Sequence, residues 1–207
     1  RRCADFIKRP LLTYMETSSS STSELVTELI QYYQDEVELT SLEATALYAG
    51  IVVDTKNFAV QTGVRTFDAA AYLRRCGAEP EIVRSIFSSD FATVRLKSSL
   101  LAKATIEDGV AMLDCGDLKE NATMLAAQLA DILINLNNVR ASFTFYELAE
   151  KTVGVCARSK GEVNVQRVME VLGGGGHSNV AGAQLKGLTS EEAQEAVRKA
   201  LGEITEE

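Results

Sequence analysis

Two stretches of strict alternation constrain this chain more than any other feature. Ala141-Ser142-Phe143-Thr144-Phe145 and Val153-Gly154-Val155-Cys156-Ala157 both run with period two, and a turn around Ala149-Glu150 separates them. Period two sends successive side chains to opposite faces of a pleated strand, so the pair predicts a β-hairpin. The neighbouring segments fit around it. Residues 110–115 read as a strand, and Leu125, Leu129, Ile132, Leu133 and Leu136 mark a strong helical stripe. Asn164 is placed to cap a helix bearing Val165, Val168, Met169 and Leu172, and after four glycines residues 180–185 read as another strand. A capping box, Thr189-x-x-Glu192, opens a last helix with Val197 and Leu201. Residues 105–207 are therefore expected to form an α+β domain.

The first part of the chain has a different rhythm. Leu11-Leu12-Thr13-Tyr14-Met15 reads as a short buried strand running into the serine-rich segment 18–23. That segment ends in a capping-box pattern, Ser21-x-x-Glu24, followed by one helical face of Leu25, Val26, Leu29, Ile30 and Tyr33. The main-chain N–H groups at such a helix start suit an anion. Thr40-x-x-Glu43 opens a second helix through Leu42, Ala46, Ala49 and Val53, ending at Asp54-Thr55. Thr66-Phe67-Asp68 begins a third that Gly77 stops, Pro80 starts a fourth, and from Asp90 the spacing of Phe91, Val94, Ser98 and Leu101 marks a fifth. Residues 1–88, mostly helical after one strand, read as the second half of a domain, and 89–104 as a helical linker to the α+β domain. The fold class expected is α/β with an α+β second lobe.

With a net charge of −8 and no basic stripe, the chain is a poor candidate for binding polymeric nucleic acid. An anionic ligand would have to be held by a local site, which favours a small nucleotide. The four cysteines (Cys3, Cys76, Cys115, Cys156) are scattered, no C-x-x-C pair exists and there is one histidine, which argues against zinc and for reduced core thiols in a cytoplasmic setting. No apolar run approaches the roughly 20 residues of a membrane helix. The start Arg1-Arg2-Cys3 lacks a methionine, so the chain reads as cut from something larger, with an upstream membrane anchor left open.

Three places could carry chemistry. In Gly173-Gly174-Gly175-Gly176-His177, ending a helix needs only one left-handed glycine, and the others lose conformational entropy on folding. Close approach of main-chain N–H groups to a phosphate is one reason for them, with His177 as a side-chain donor; a mobile loop with a surface histidine is the other. Arg158, followed by Ser159 at a strand end, could grip a phosphate by two parallel hydrogen bonds, or simply be solvated. Asp54 ends a helix whose C-terminus is already negative, which makes sense beside a cation, or as an Asp-Thr turn.

Together these pieces resemble the DHH phosphoesterases, in particular the cyclic di-AMP phosphodiesterases of the GdpP/YybT type. The resemblance rests on Arg1-Arg2, on the stretches 21–29 and 43–47, on Gly50-Ile51-Val52-Val53-Asp54-Thr55-Lys56-Asn57-Phe58, and on Arg65-Thr66-Phe67-Asp68-Ala69-Ala70. It continues through Ala157-Arg158-Ser159, the stretch 161–166 and the glycine-histidine segment. It implies the C-terminal part of a DHH domain over 1–88, the linker helix, and a DHH-associated domain over 105–207. It further implies a two-manganese (Mn2+) centre to which Asp54 contributes, and a substrate-gripping part made of Arg158, Ser159, Gly174, Gly175, Gly176 and His177. The implied reaction is hydrolysis of cyclic di-AMP, a small cyclic dinucleotide, to linear pApA, in the cytoplasmic domain of a membrane-anchored bacterial protein; a homodimer is compatible with it. Arg1-Arg2 matches the two residues just after the family's Asp-His-His triplet, so most metal ligands are missing and little hydrolysis is expected of this stretch alone. Two readings stand beside it: an oligoribonuclease or nucleoside bisphosphate phosphatase of the same superfamily, and a non-catalytic nucleotide-binding module.

Overall fold

The computed structural model describes residues 11, 13–33, 37–119, 121–148 and 151–205. They group into two units, one ending at Ser88 and the other beginning at Ser89.

Among its described residues the first unit has four helices: α1 (Thr22–Tyr32), α2 (Ser41–Asp54), α3 (Val64–Arg75) and α4 (Pro80–Ile86). Leu11 and Thr13 to Met15 lie in no strand, against the sequence expectation; Leu12 is outside the described residues. Leu11 and Met15 are largely exposed, so the short apolar run is not sealed into a sheet. Helices α1, α2 and α4 start where the caps and Pro80 predict, whereas α3 begins at Val64, two residues before the expected Thr66, because Gly63 takes the extended N-cap position and Thr66 accepts its N–H. Thr40 and Glu43 form the full reciprocal capping box, and Pro80 takes the first position of α4. Ser21 is only half a box: its hydroxyl accepts the Glu24 N–H at 3.0 Å, but the Glu24 carboxylate goes instead to the N–H and hydroxyl of Ser20. The anion at the α1 N-terminus is thus the chain's own Glu24. Helices α1 and α2 cross closely at Gly50, where an added Cβ would overlap the Ser23 hydroxyl. A small core of Ala44, Ile51, Ala69, Leu73 and Ala78 joins α2, α3 and the segment before α4.

The second unit opens with α5 (Phe91–Leu101), which starts where the spacing predicts and is capped by Asp90. Leu100 brings α5 into the same core as the next helix. Then follow β1 (Thr105–Glu107), β2 (Val110–Asp114), α6 (Ala122–Ile134), β3 (Ala141–Leu148), β4 (Thr152–Ser159), α7 (Val165–Val171), β5 (Gly175–His177), β6 (Val180–Lys186) and α8 (Ser190–Thr205). The expected hairpin is β3 with β4, in antiparallel register; its turn at 149–150 lies outside the described residues. The sheet order is β1-β2-β3-β4-β6-β5. Only β2 and β3 pair in parallel, as a connection through a helix requires; α6 is that crossover.

Alternation along the strands divides the unit into two cores. Phe143, Phe145, Val153, Val155 and Ala157 face Val165, Val168 and Met169 of α7 and Ala193, Val197 and Ala200 of α8. Leu113, Tyr146 and Cys156 face Leu125, Leu129 and Leu133 of α6. Two hydroxyls pin α6 to β3: Ser142 donates to the Ala130 carbonyl at 2.8 Å and Thr144 to that of Ala126 at 2.9 Å. Buried hydroxyls with such partners escape the desolvation penalty of unpaired polar groups.

Two elements had no forecast in the sequence. The strand β1 is three exposed residues. The other is β5, which turns part of the glycine run, expected as a loop, into the outermost strand of the sheet.

Candidate functional site

The glycine-histidine segment is built from two successive pieces of local structure. Helix α7 closes with Gly173 in the left-handed region (φ 76°), where its N–H bonds the Glu170 carbonyl at 3.0 Å and the Gly174 N–H bonds that of Met169 at 2.7 Å. This pair of bonds is the Schellman closure, and it accounts for the first glycine. A Cβ on Gly174 would run into the Gly182 carbonyl and Ala183, and one on Gly176 into the Val180 carbonyl and Ala181. Both are needed for β5 to lie close against β6. Gly175 is different: an added Cβ there would meet nothing within 4 Å. Of the four glycines, helix closure explains one and packing two.

Residues 178–179 form the two-residue connection of the β5–β6 hairpin, and its carbonyls are tied on both sides. Ser178 accepts from the Val165 N–H and Asn179 from the Ser159 N–H, each at 3.0 Å. The hairpin is thereby fixed to the start of α7 and the end of β4. The register aligns His177 with Val180, and Val180 with Arg158. Directly paired residues share a face, so Arg158, Val180 and His177 form one row, spanning about 10 Å over two strand spacings. Helix α6 covers β3 and β4 on this face. Beyond it the face is open: Val180 is 47% exposed and His177 is exposed.

Arg158 is held in place. Its Nε donates to Asp131 of α6 at 2.8 Å, its Nη1 donates to the Ala157 carbonyl at 3.0 Å, and its side chain keeps only 13% of its exposure. Asp131 was missed in the sequence, although a lone carboxylate between Ala130 and Ile132, inside an apolar stripe, was the available signal. Lys160 answers the α6 C-terminus, donating to the Leu136 carbonyl at 2.9 Å. A cation there offsets the negative end of the helix near the row.

Ser159 does not join Arg158. Successive strand residues point to opposite faces, and Ser159 pairs with Ala141 of the α7–α8 core. Its buried hydroxyl accepts the Gly161 N–H at 2.9 Å, so it shapes the turn after β4.

Asp54 is in the first unit, as the last residue of α2, exposed. Thr55 closes the helix: fully buried, it donates its hydroxyl to the Ile51 carbonyl at 2.7 Å and accepts the Phe58 N–H at 2.9 Å. Lys56, Asn57 and Phe58 then all take left-handed conformations (φ 48°, 59° and 63°). Each costs a residue with a Cβ about 1–2 kcal/mol. Phe58 offsets this by stacking on Phe67, ring centroids 5.4 Å apart, and tilting against Tyr48 at 6.1 Å. The Asp-Thr turn is therefore a built feature. Nearby, Arg65 donates to both oxygens of Glu28 at 2.7 and 2.6 Å, so the stretches 21–29 and 65–70 are tied together through side chains.

A manganese centre needs several oxygen ligands. Among the described residues no group of three His, Cys, Asp or Glu side chains could hold a metal ion. They offer the single carboxylate of Asp54 and do not by themselves fit such a centre. Among the described residues no helix is long and apolar enough to cross a membrane.

Comparison with known proteins bears on the whole chain. Residues 110–207 match the DHHA1 domain. Over 207 residues, all of this chain, it is 47% identical to the cyclic-di-AMP phosphodiesterase GdpP of Geobacillus thermodenitrificans, covering 32% of that protein. Over 202 residues, 97% of this chain, it is 44% identical to the cyclic-di-AMP phosphodiesterase PdeA of Listeria monocytogenes, covering 31% of it. The chain thus spans about a third of the length of these relatives. Its fold is that of an exopolyphosphatase-related protein from Bacteroides fragilis, with a TM-score of 0.78 at 24% identity, over 90% of this chain and 57% of that one. Residues 110–207 are thus a DHHA1 domain, and the chain as a whole is similar to GdpP-type proteins of the DHH superfamily.

Proposed function

We propose that the second unit holds a phosphate of a small cyclic dinucleotide on the row of Arg158, Val180 and His177, and that a protein carrying this chain hydrolyses cyclic di-AMP to linear pApA. The observation that carries the reading is the row itself. A guanidinium fixed by Asp131 stands on the same open face as the chain's one histidine, beside an edge strand whose backbone carries no side chain at Gly175 or Gly176, nor at Gly174 just before it. An outermost strand turns one side of its N–H groups away from the ladder, which gives a phosphate main-chain donors. With Nε and Nη1 of Arg158 engaged, Nη2 is the group that would meet the ligand. Ser159 takes part by shaping the strand end.

Asp54 enters the same proposal as one ligand of a manganese centre, supported by its motif and by the built turn behind it. The cytoplasmic, membrane-anchored setting belongs there too, since the relatives are about three times as long.

The test is equilibrium binding of cyclic di-AMP and pApA to the 207-residue chain by titration calorimetry. His177→Ala removes one hydrogen bond to a charged group and should weaken binding about tenfold or more, leaving the thermal transition unchanged because His177 is exposed. Equal affinity in the variant would remove His177 from the site. Turnover with added manganese is expected to be slight, and hydrolysis of short RNA in preference to cyclic di-AMP by a longer protein would favour a nuclease.

A further inference from the structure

The contact that fixes Arg158 also puts a negative charge beside the phosphate row. Asp131 takes Nε at 2.8 Å, and Nη1 donates to the Ala157 carbonyl at 3.0 Å. The two partners differ in exposure. The Arg158 side chain keeps 13% and that of Asp131 41%, so the carboxylate faces the solvent from which a ligand arrives.

Asp131 stands where α6 gains nothing from it. The helix ends at Ile134, which puts Asp131 in its last turn, and that turn contains no basic residue. A carboxylate there adds to the negative end of the helix dipole. Holding Arg158 does not demand the charge either, since an amide oxygen also accepts from a guanidinium N–H. What the carboxylate adds is repulsion of a second anion.

Hydrolysis changes the charge of the ligand. As a water oxygen bonds to phosphorus, the P–O3′ bond breaks and the leaving 3′ oxygen takes a proton. The diester carried one negative charge; the 5′-phosphate monoester carries a second above pH ~6. A phosphate bonded to Nη2 would lie roughly 6 Å from the Asp131 carboxylate, given a planar guanidinium and ordinary hydrogen-bond lengths. At that distance one added charge weakens binding about threefold even at the dielectric of water, and more near a protein surface.

We propose that Asp131 sets the charge selectivity of the row: it lets Arg158 take the singly charged diester and disfavours the doubly charged monoester that hydrolysis creates, so that the product leaves. The inference rests on the phosphate reading above and adds a specificity-determining residue to it.

The test is titration calorimetry of the 207-residue chain with cyclic di-AMP and with pApA, native and Asp131→Asn, at about pH 8 and about pH 5.5. Asparagine keeps an acceptor for Nε, removes the charge and is isosteric at a part-exposed position. Near pH 8 the substitution should tighten pApA about threefold or more beyond any change in cyclic di-AMP. Near pH 5.5, where most of the monoester has taken up its second proton, that excess should largely vanish. His177 and Lys160 are common to both proteins, so their contribution cancels in the comparison. If the substitution changes both ligands alike, in either direction, Asp131 only holds Arg158 and the selectivity is wrong while the phosphate row stands. An excess undiminished at the lower pH would overturn it as well, because the second charge would not be its source. If the native chain binds neither ligand, or His177→Ala changes neither affinity, the phosphate row fails and the selectivity with it.

Discussion

Glu24 carries a carboxylate where water scarcely reaches, at 2% exposure. Burial alone would raise its pKa, but hydrogen bonds from Ser20, Thr66 and Ser19 outweigh it and hold the carboxyl below its ordinary range. Glu24→Ala leaves the buried Ser20 N–H and hydroxyl without their acceptor, so a urea melt should show a loss of about 1–3 kcal/mol. The pH dependence follows in sign. A carboxyl whose folded pKa is depressed contributes stability above its unfolded pKa, and that stability is lost as pH falls through the folded value. The native chain should therefore lose stability in acid more steeply than Glu24→Ala does. Cys115 and Cys156 behave as core residues: burial pushes the Cys115 thiol up to about 12 and that of Cys156 upward, and both sit buried and unbridged, while Cys76 is half-buried and Cys3 lies outside the described residues.

At the level of elements, β5 separates structural glycines from the one available to a ligand. Gly174→Ala and Gly176→Ala both force a methyl into the β6 backbone and should lower the melting temperature along with any ligand affinity. Gly175→Ala places its methyl in open space and should leave the melting temperature nearly unchanged while weakening binding of cyclic di-AMP. Reduced stability at Gly175 would mean that the strand itself needs the bare backbone there. The turn after α2 follows the opposite logic. Its three left-handed residues have side chains, and it persists because Thr55 and Phe58 determine it from both sides.

At the scale of the whole molecule, the two units have separate cores, of unequal size. The first rests on five buried residues around Leu73, the second on the two faces of a six-stranded sheet, with Phe143 and Phe145 fully buried. Leu73→Ala should cost about 2–5 kcal/mol and Phe143→Ala about 3–5 kcal/mol. Amide exchange followed by mass spectrometry should show the first loss in α2 and α3 and the second across β3, β4 and β6. Equal loosening of both units by either variant would mean that they unfold as one.

Local pattern alone determined much of this protein. The alternation of residues 141–145 and 153–157, and the caps at Thr40, Asn164 and Thr189, depend on neighbours within a turn or a strand, and each stands where its pattern says. The apolar run at 11–15 carried no such second signal, and the residues described there form no strand. Only tertiary structure decided that glycines 175 and 176 belong to a strand, since they gain that status from the β6 backbone they lie against. It also decided that Asp131 holds Arg158 and that Ser159 faces away from it. The first of these relations joins residues 27 positions apart. A period or a cap acts over about four residues, whereas the order of strands in a sheet is set by which faces bury one another.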